Sequence, residues 1–304
     1  MKKTEFLFFA AFLILLAIFT GPREIPFSVQ MYGSMLFIAL VGIPHGAIDH
    51  IIFMEHNRVS PVVFYCFYVG AMGLFIAMWL LFPCVSLVLF ILLSAYHFGQ
   101  SRFSDLEQLP HTVNGLLSWS WGCSILFGLF YYKNAELAGL LQSAPDIAQL
   151  EGAFDIQIYA WLLPFSTLLT FLLLVWALLR RYIQTERFLS EIYFLLLIHL
   201  CFYALPLLVG FTLYFITLHA ASVLSEEFHF LRIRRPGLSV WKFIFLLMPY
   251  TLLSVLGGSI LFFLVHYGWV DTSNLLLAFI LVSALTLPHS IVMHGFYRKT
   301  TTSL

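Results

Sequence analysis

Long apolar runs constrain this chain more than any other feature of its sequence. Stretches of about 18 or more residues with few charges recur along most of the 304-residue chain. Because a bilayer core offers the backbone no water, such runs must form helices that satisfy their own hydrogen bonds. The runs are too long and too uniformly apolar for barrel strands. We therefore expect an all-α fold, a polytopic integral membrane helical bundle.

The charge content agrees with a membrane protein and argues against several other classes. Only 10% of the residues are charged, compared with about 25% in ordinary soluble domains. The net charge is zero, so the chain has no basic face and we expect no nucleic-acid partner. The four cysteines are scattered without a Cys-x-x-Cys pair, which favours neither a disulfide framework nor a thiolate metal site.

The runs divide most naturally into ten transmembrane spans, with eight or nine as alternatives. The weak divisions are at Pro83 and around Pro206–Gly210, where neighbouring spans could merge. The predicted spans are 5–20, 31–54, 61–82, 84–103, 112–132, 156–180, 189–208, 209–231, 241–268 and 272–297. The first run lacks the small-x-small cleavage site of a signal peptide, so we read it as a span. We expect residues 1–304 to form one transmembrane domain with an external polar loop at about 133–157.

The basic residues predict the orientation of these spans. If the N-terminus is cytoplasmic, 13 of the 15 basic residues fall inside, Lys2 and Arg58 among them. Only Arg23 and Lys133 then fall outside. This distribution follows the positive-inside rule. We predict a multi-pass protein of the cell inner membrane, with its N- and C-termini in the cytoplasm.

Histidines are the chemically distinctive residues of the apolar runs. Two frames read Pro-His-x-x-x-x-His, at residues 44–50 and 288–294. A third frame, Tyr-His-Phe-Gly-Gln, spans residues 96–100, and His219 stands alone in another run. Ionisable side chains at bilayer depth are costly and commonly functional. The histidines therefore mark the candidate functional site.

Four of these histidines fall at one predicted depth. His45, His97, His219 and His289 lie on spans that run in the same direction, at depths that agree within about 9 Å at 1.5 Å per helical residue. Imidazole is the usual nitrogen ligand of iron, copper, zinc and nickel, so the four rings could converge on one ion. A single intramembrane histidine is more typical of an interhelical hydrogen bond, and we assign that role to His199.

Three polar residues at short spacings after these histidines could accept the second ring N–H of a ligand: Asp49, Gln100 and Glu226. Asp49 follows His45 by four residues, which places both on one helical face. Asp49 could alternatively serve as a proton-relay carboxylate. Glu226 and Glu227 also fit the solvated end of a helix.

The segments GIPHGAIDH, SAYHFGQ, LYFITLHAAS and LPHSIVMH together resemble the Brp/Blh-like β-carotene 15,15′-dioxygenase family. The resemblance covers most of the chain and is most specific at residues 44–50 and 97–99. Members of that family are membrane enzymes that use non-haem iron and O₂ to split β-carotene into two retinals. The resemblance implies an Fe²⁺ cofactor, β-carotene or a similar apolar polyene as substrate, O₂ as co-substrate and membrane lipid as surroundings. A retinal-binding rhodopsin is a possible downstream partner.

The same resemblance identifies His45, His97 and His219 as the carried-over iron ligands. The family pattern places a further ligand histidine one turn after His219, where this chain has Val223. His289, His50 or water could complete the site, or this member could have a changed activity.

Other function classes compete with the dioxygenase. A haem or electron-transfer protein would use histidine pairs as axial ligands. A proton or metal transporter could use the same side chains, although transporters usually bind near the bilayer midplane. A histidine-box desaturase fits less well, because its histidines are closely spaced and mostly cytoplasmic.

Overall fold

The computed structural model describes residues 3–57, 59–106 and 108–300, and all regular structure within these ranges is helical. The α-helices are α1 (Lys3–Phe19), α2 (Phe27–Phe37), α3 (Asp49–Asn57), α4 (Pro61–Leu81), α5 (Pro83–Arg102), α6 (His111–Tyr132), α7 (Asn134–Gln142), α8 (Ile156–Leu179), α9 (Thr185–Ala204), α10 (Leu207–Tyr214), α11 (Ala221–Arg234), α12 (Val240–His266) and α13 (Asn274–Thr300). Nine helical spans within these ranges are long and apolar enough to cross a membrane. The predicted polytopic helical membrane fold is confirmed.

The two weak divisions of the sequence are real helix boundaries. α4 ends at Leu81 and α5 begins at Pro83, while α9 ends at Ala204 and α10 begins at Leu207. Proline has no amide hydrogen and pushes the preceding residue out of the helical region, so each proline starts a new helix. α1 corresponds to the first of the ten predicted spans. It has 17 residues, slightly fewer than each of the nine helical spans counted above.

Two of the spans are not regular α-helices throughout. Between α2 and α3 the chain forms a π-helix (Ile38–Gly42) and then a 3₁₀-helix (Ile43–Gly46). Between α10 and α11 it forms a second π-helix (Phe215–Ala220). Each of the two interrupted spans carries one predicted ligand histidine in its irregular part, His45 in the 3₁₀-helix and His219 in the second π-helix. Helical irregularities of this kind often occur at functional sites. By contrast, α13 continues as one helix through Pro288.

The two ends of the described chain lie on the same side of the bundle, which we call the terminal face. Near this face Ser222 of α11 donates a hydrogen bond to Thr4 (3.3 Å), and Tyr297 donates to Glu226 of α11 (2.9 Å). The other side, the loop face, carries the segment between α6 and α8. Lys2 and Arg58, used in the orientation prediction, lie outside the described residues.

The polar segment at about 133–157 contains more helix than the sequence suggests. It consists of α7 and a 3₁₀-helix (Pro145–Phe154). Both bury apolar side chains, including Leu137, Leu141 and Ile147, which explains why the segment folds onto the bundle. Asp146 accepts hydrogen bonds from the Ser273 amide (2.7 Å) and the Thr272 hydroxyl (3.1 Å), which fix it to the start of α13.

Buried apolar side chains form two separate clusters. The large apolar cluster extends across the bundle and includes Phe8, Leu117, Ile125, Ile198 and Phe202. The small apolar cluster includes Ile48, Ile52, Val223, Leu231 and Met293. Contacts among these buried side chains are the main interactions that hold the helices together within each cluster.

A pair of glycines brings α5 against α6 at backbone distance. A Cβ atom added at Gly99 of α5 would lie 1.8 Å from the carbonyl oxygen of Ser118, and one added at Gly122 of α6 would lie 1.8 Å from that of Ala95. Small residues commonly allow such close approach of membrane helices. This contact sets the position of α5, which carries His97.

Replacing Gly122 by alanine is expected to force α5 and α6 apart, because the new methyl group would overlap backbone that cannot rotate away. We expect a loss of about 1–3 kcal/mol in the free energy of unfolding, seen as a lower thermal midpoint in detergent. Gly115→Ala on the same helix is the control, since its Cβ would meet nothing within 4 Å. Equal midpoints for the two variants would contradict the packing described here.

Candidate metal centre

Four imidazole rings from four spans form a closed ring of contacts. The ring centroids of His45 and His289 are 4.7 Å apart, and those of His289 and His97 are 4.9 Å apart. The circuit closes from His97 to His219 at 4.8 Å and from His219 back to His45 at 5.3 Å. The structure thus brings together the four histidines that the sequence placed at one depth.

These separations fit four ligands of a single metal ion. With metal–nitrogen bonds of about 2.1 Å, ligand rings have centroids about 4.6 Å apart at right angles and about 5.3 Å apart at tetrahedral angles. The observed separations of 4.7–5.3 Å span this range. In addition, one nitrogen each of His45, His97 and His289 lies within 4.8 Å of the other two, a group of described residues that does not include His219. Three of the rings therefore meet the nitrogen spacing of a metal centre, and the ring of His219 lies at centroid separations that suit a fourth ligand.

Hydrogen bonds select one tautomer in three of the four rings. Nδ1 of His45 contacts the carbonyl oxygen of Gly42, and Nδ1 of His289 lies 2.9 Å from Oδ1 of Asp49. Both partners act as acceptors when the carboxyl is ionised, so each Nδ1 carries the hydrogen and each Nε2 keeps a free lone pair. This is the form of histidine that binds metals through Nε2.

Ser101 completes the same arrangement for His219. Its hydroxyl donates to the carbonyl oxygen of Phe98 (2.9 Å), so its single hydrogen is already used. Nδ1 of His219, at 3.1 Å, must then donate to the Ser101 oxygen. The lone pair of His219 Nε2 is left free in the same way as those of the other two rings.

Buried nitrogen atoms without protein partners concentrate at this site. Nε2 of His219 and of His289, and both ring nitrogens of His97, are buried and have no hydrogen-bond partner among the described residues. Each unpartnered buried polar atom costs about 1–3 kcal/mol. A metal ion that binds one lone pair of each ring would remove the cost at His219, at His289 and at one nitrogen of His97, so the donor set fits a transition metal that accepts imidazole.

Asp49 supports a different ring from the one that its spacing suggests. Its carboxylate contacts His289, across the bundle, and also accepts a hydrogen bond from the Tyr68 hydroxyl (2.9 Å). We predicted contact with His45 from the four-residue spacing of an α-helix. That spacing fails because His45 lies in a 3₁₀-helix and a turn separates it from α3, so the two residues do not share a helical face.

Gln100 and Glu226 also have partners other than the predicted ones. The amide of Gln100 lies 2.9 Å from Nδ1 of His294, not against His97. Glu226 accepts hydrogen bonds from Tyr297 (2.9 Å) and Ser104 (3.4 Å). Sequence reasoning missed Ser101, although its position four residues after His97 places it on the same face of α5.

The neighbouring Glu227 does not lie at a solvated helix end. Its side chain is fully buried, and within the described part of the chain neither carboxylate oxygen has a hydrogen-bond partner. The position is enclosed because α11 packs into the small apolar cluster through Val223 and Leu231.

The remaining intramembrane histidines stand apart from the four rings. His50 packs against Tyr250 and Tyr65, with centroids 4.4 and 6.3 Å away. Nε2 of His199 lies 3.0 Å from the Ser124 hydroxyl, an interhelical contact of the kind predicted for it. His50 lies in α3, beyond the turn that follows the 3₁₀-helix of His45, so the two rings have different surroundings.

Aromatic side chains cover the rings from the side of the large apolar cluster. Phe215 stacks on His219 (5.6 Å between centroids) and presents its edge to His45 (5.6 Å). Phe98 also contacts His219 (4.7 Å). Gly42 permits this arrangement, because a Cβ there would lie 2.7 Å from the Phe215 ring. The four rings therefore lie at the boundary of the two apolar clusters, in a setting that excludes water.

Replacing Asp49 by asparagine should weaken metal binding about 10- to 100-fold, because an amide is a poorer acceptor for the His289 N–H. Titration of metal-free protein with Fe²⁺ under anaerobic conditions measures the change. Gln100→Ala is the control, since Gln100 bonds to His294 and not to a ring of the site. Equal losses in both variants would contradict the assignment of Asp49.

A family model described as beta-carotene 15,15′-dioxygenase matches residues 36–297 of this chain. The matched region contains all four rings of the candidate centre. No curated protein and no solved structure matches the chain.

Proposed function

Because the chain belongs to the beta-carotene 15,15′-dioxygenase family, we propose that it cleaves β-carotene, or a related carotenoid, with O₂ at the central 15,15′ double bond to give retinal. The cofactor in this proposal is Fe²⁺. The observation that carries the proposal is the closed circuit of four imidazoles, whose separations suit one metal ion. The circuit is built from the segments that resemble the family.

The proposed iron ligands are His45, His97, His219 and His289. His289 serves here as the fourth ligand, in place of the family histidine at whose position this chain has Val223. Among the described residues, Nε2 of His289 is buried without a hydrogen-bond partner, and its ring contacts those of His45 and His97. His50 is the weaker candidate, because its ring packs against Tyr250 and Tyr65.

The protein's part in the reaction is to orient and enclose the reacting groups. Bound ferrous iron would supply the reactivity with O₂. Gly42, Ser101 and Asp49 hold three rings in the tautomer that leaves Nε2 free. Phe98 and Phe215 exclude water from the rings.

The membrane setting suits this substrate. A long apolar polyene dissolves in lipid and can reach the protein without entering water. From the distribution of basic residues, we propose that the terminal face is cytoplasmic and that the protein resides in the cell inner membrane. The retinal product could pass to a retinal-binding rhodopsin in the same membrane.

The geometry disfavours a haem protein. Haem takes at most two axial histidines on opposite faces of the porphyrin, whereas each of these four rings lies within 5.3 Å of two others. A proton or metal transporter is the alternative function. Uptake of metal ions or protons without carotenoid cleavage would identify a transporter.

Expression of the chain in a β-carotene-producing bacterium tests the activity. We expect loss of orange colour and appearance of retinal, and unchanged carotene in the His289→Gln variant. His199→Gln is the control, because His199 is also an intramembrane histidine but bonds to Ser124. Unchanged carotene in cells that contain the iron-loaded wild-type protein would contradict the proposed function.

The choice between His289 and His50 can be tested in purified protein. We expect His289→Gln to lose most of its bound iron and His50→Gln to keep it, with both proteins folded by circular dichroism. Metal analysis by mass spectrometry measures the iron. The opposite result would transfer the fourth ligand position to His50.

A further inference from the structure

A cavity of about 240 Å³ opens at the loop face of the bundle, and we call it the loop-face pocket. Three helices line it, through Phe27 and Gln30 of α2, Glu136 and Gly139 of α7, and Leu207 and Leu208 of α10. The Gln30 amide donates a hydrogen bond to the carbonyl oxygen of Ile25 (2.8 Å), and Glu136 accepts one from the Leu207 amide (2.7 Å). The two polar residues of the lining are thus bonded to the backbone, and the rest of the lining is apolar.

The loop-face pocket lies at the loop-face ends of the two interrupted spans. One of these spans begins with α2 and leads to His45, and the other begins with α10 and leads to His219. α2 packs against α10, and the two π-helices pack against each other. The two spans therefore run side by side from the pocket to the metal centre.

A series of stacked rings connects the pocket with the metal centre along the α10 span. The ring of Phe211 stacks on that of Phe215 (5.7 Å between centroids), and the ring of Phe215 stacks on that of His219 (5.6 Å). The four-residue spacing from Leu207 through these three residues keeps them on one helical face. Phe211 and Phe215 remain partly exposed, as does His45, which contacts the edge of Phe215. Accessible aromatic surface therefore lies between the pocket and the centre.

The distance from the pocket to the centre is comparable with half the length of a carotenoid. Leu208 precedes His219 by 11 residues, which is about 17 Å at about 1.5 Å per residue. In β-carotene about nine bonds separate the central double bond from each terminal ring. They advance about 1.2 Å each in an extended chain, and the ring adds about 3 Å, so its far side lies about 14 Å from the central bond. The separation suits cleavage near the middle of the polyene and not near a ring.

We propose that the loop-face pocket holds one terminal ring of the carotenoid, while the polyene lies along Phe211 and Phe215 and its central double bond reaches the metal centre. This inference rests on the proposed function and adds to it a subsite for the end of the substrate. The cavity is smaller than the sites of about 300–1,000 Å³ that enclose a whole drug-sized ligand, which suits one end of a longer molecule. Its apolar lining suits a hydrocarbon ring.

Two glycines of the external segment allow a matched test. Gly139 lines the pocket and Gly152 does not, and a Cβ at either position would meet no described atom within 4 Å. Gly139→Phe places a ring inside the pocket, whereas Gly152→Phe places the same ring outside it. In lipid vesicles that contain β-carotene, we expect kcat/KM to fall at least about tenfold for Gly139→Phe and to change less than about twofold for Gly152→Phe. Iron content and thermal midpoint should match wild type in both variants.

Wild-type turnover in Gly139→Phe would overturn the subsite and leave the proposed function intact. Absence of turnover in the iron-loaded wild-type protein would instead count against the proposed function, and a labelling measurement then decides the subsite. In a background with the exposed Cys66 and Cys84 replaced by serine, Gly139→Cys and Gly152→Cys are labelled with an apolar maleimide in membranes.

We expect β-carotene in the membrane to slow the labelling of Gly139→Cys several-fold and that of Gly152→Cys not at all. Equal labelling of Gly139→Cys with and without β-carotene would overturn the proposal, whatever the activity. Equal protection by a linear alkane such as hexadecane would identify a lipid chain as the occupant, and would also overturn it.

Discussion

The interaction on which this structure depends is the convergence of imidazole lone pairs at the boundary of two apolar clusters. Apolar packing alone would not bring four polar rings together, since each buried nitrogen without a partner costs free energy. Three of the rings donate their Nδ1 hydrogen to a fixed acceptor, which turns Nε2 toward the shared centre. Such a cluster is stable in a membrane interior when a cation takes up the lone pairs. Such a cation would link all four spans through one centre.

The irregular helices are the means by which ordinary membrane spans produce this centre. The π-helix and 3₁₀-helix before α3 shift the direction of His45, and the π-helix before α11 does the same for His219. His97 and His289 lie on continuous helices that are fixed by other contacts. Those contacts are the Gly99 and Gly122 backbone approach for α5, and the Asp49 carboxylate for α13. Two of the four histidines therefore lie in irregular helical segments, and the other two lie in continuous α-helices.

Much of this arrangement could be predicted from the sequence, because hydrophobicity and the spacing of histidines are read directly. The spans, their divisions at Pro83 and Pro206, and the common depth of four histidines all follow from that information. The partners of Asp49 and Gln100 could not be predicted, because they depend on local helix geometry and on contacts between distant spans. The small buried face of α12, formed by Phe243 and Leu247, could not be predicted either, since an exposed and a packed face are equally apolar in a membrane protein.

Iron-edge X-ray absorption of the purified, iron-loaded protein measures directly whether the four histidines bind one iron. We expect about four imidazole nitrogens at about 2.1 Å from the iron, together with the multiple-scattering signal of the rings, and one imidazole fewer in His289→Gln. An iron environment without imidazole scattering, or a spectrum unchanged by replacement of each of the four histidines in turn, would contradict it.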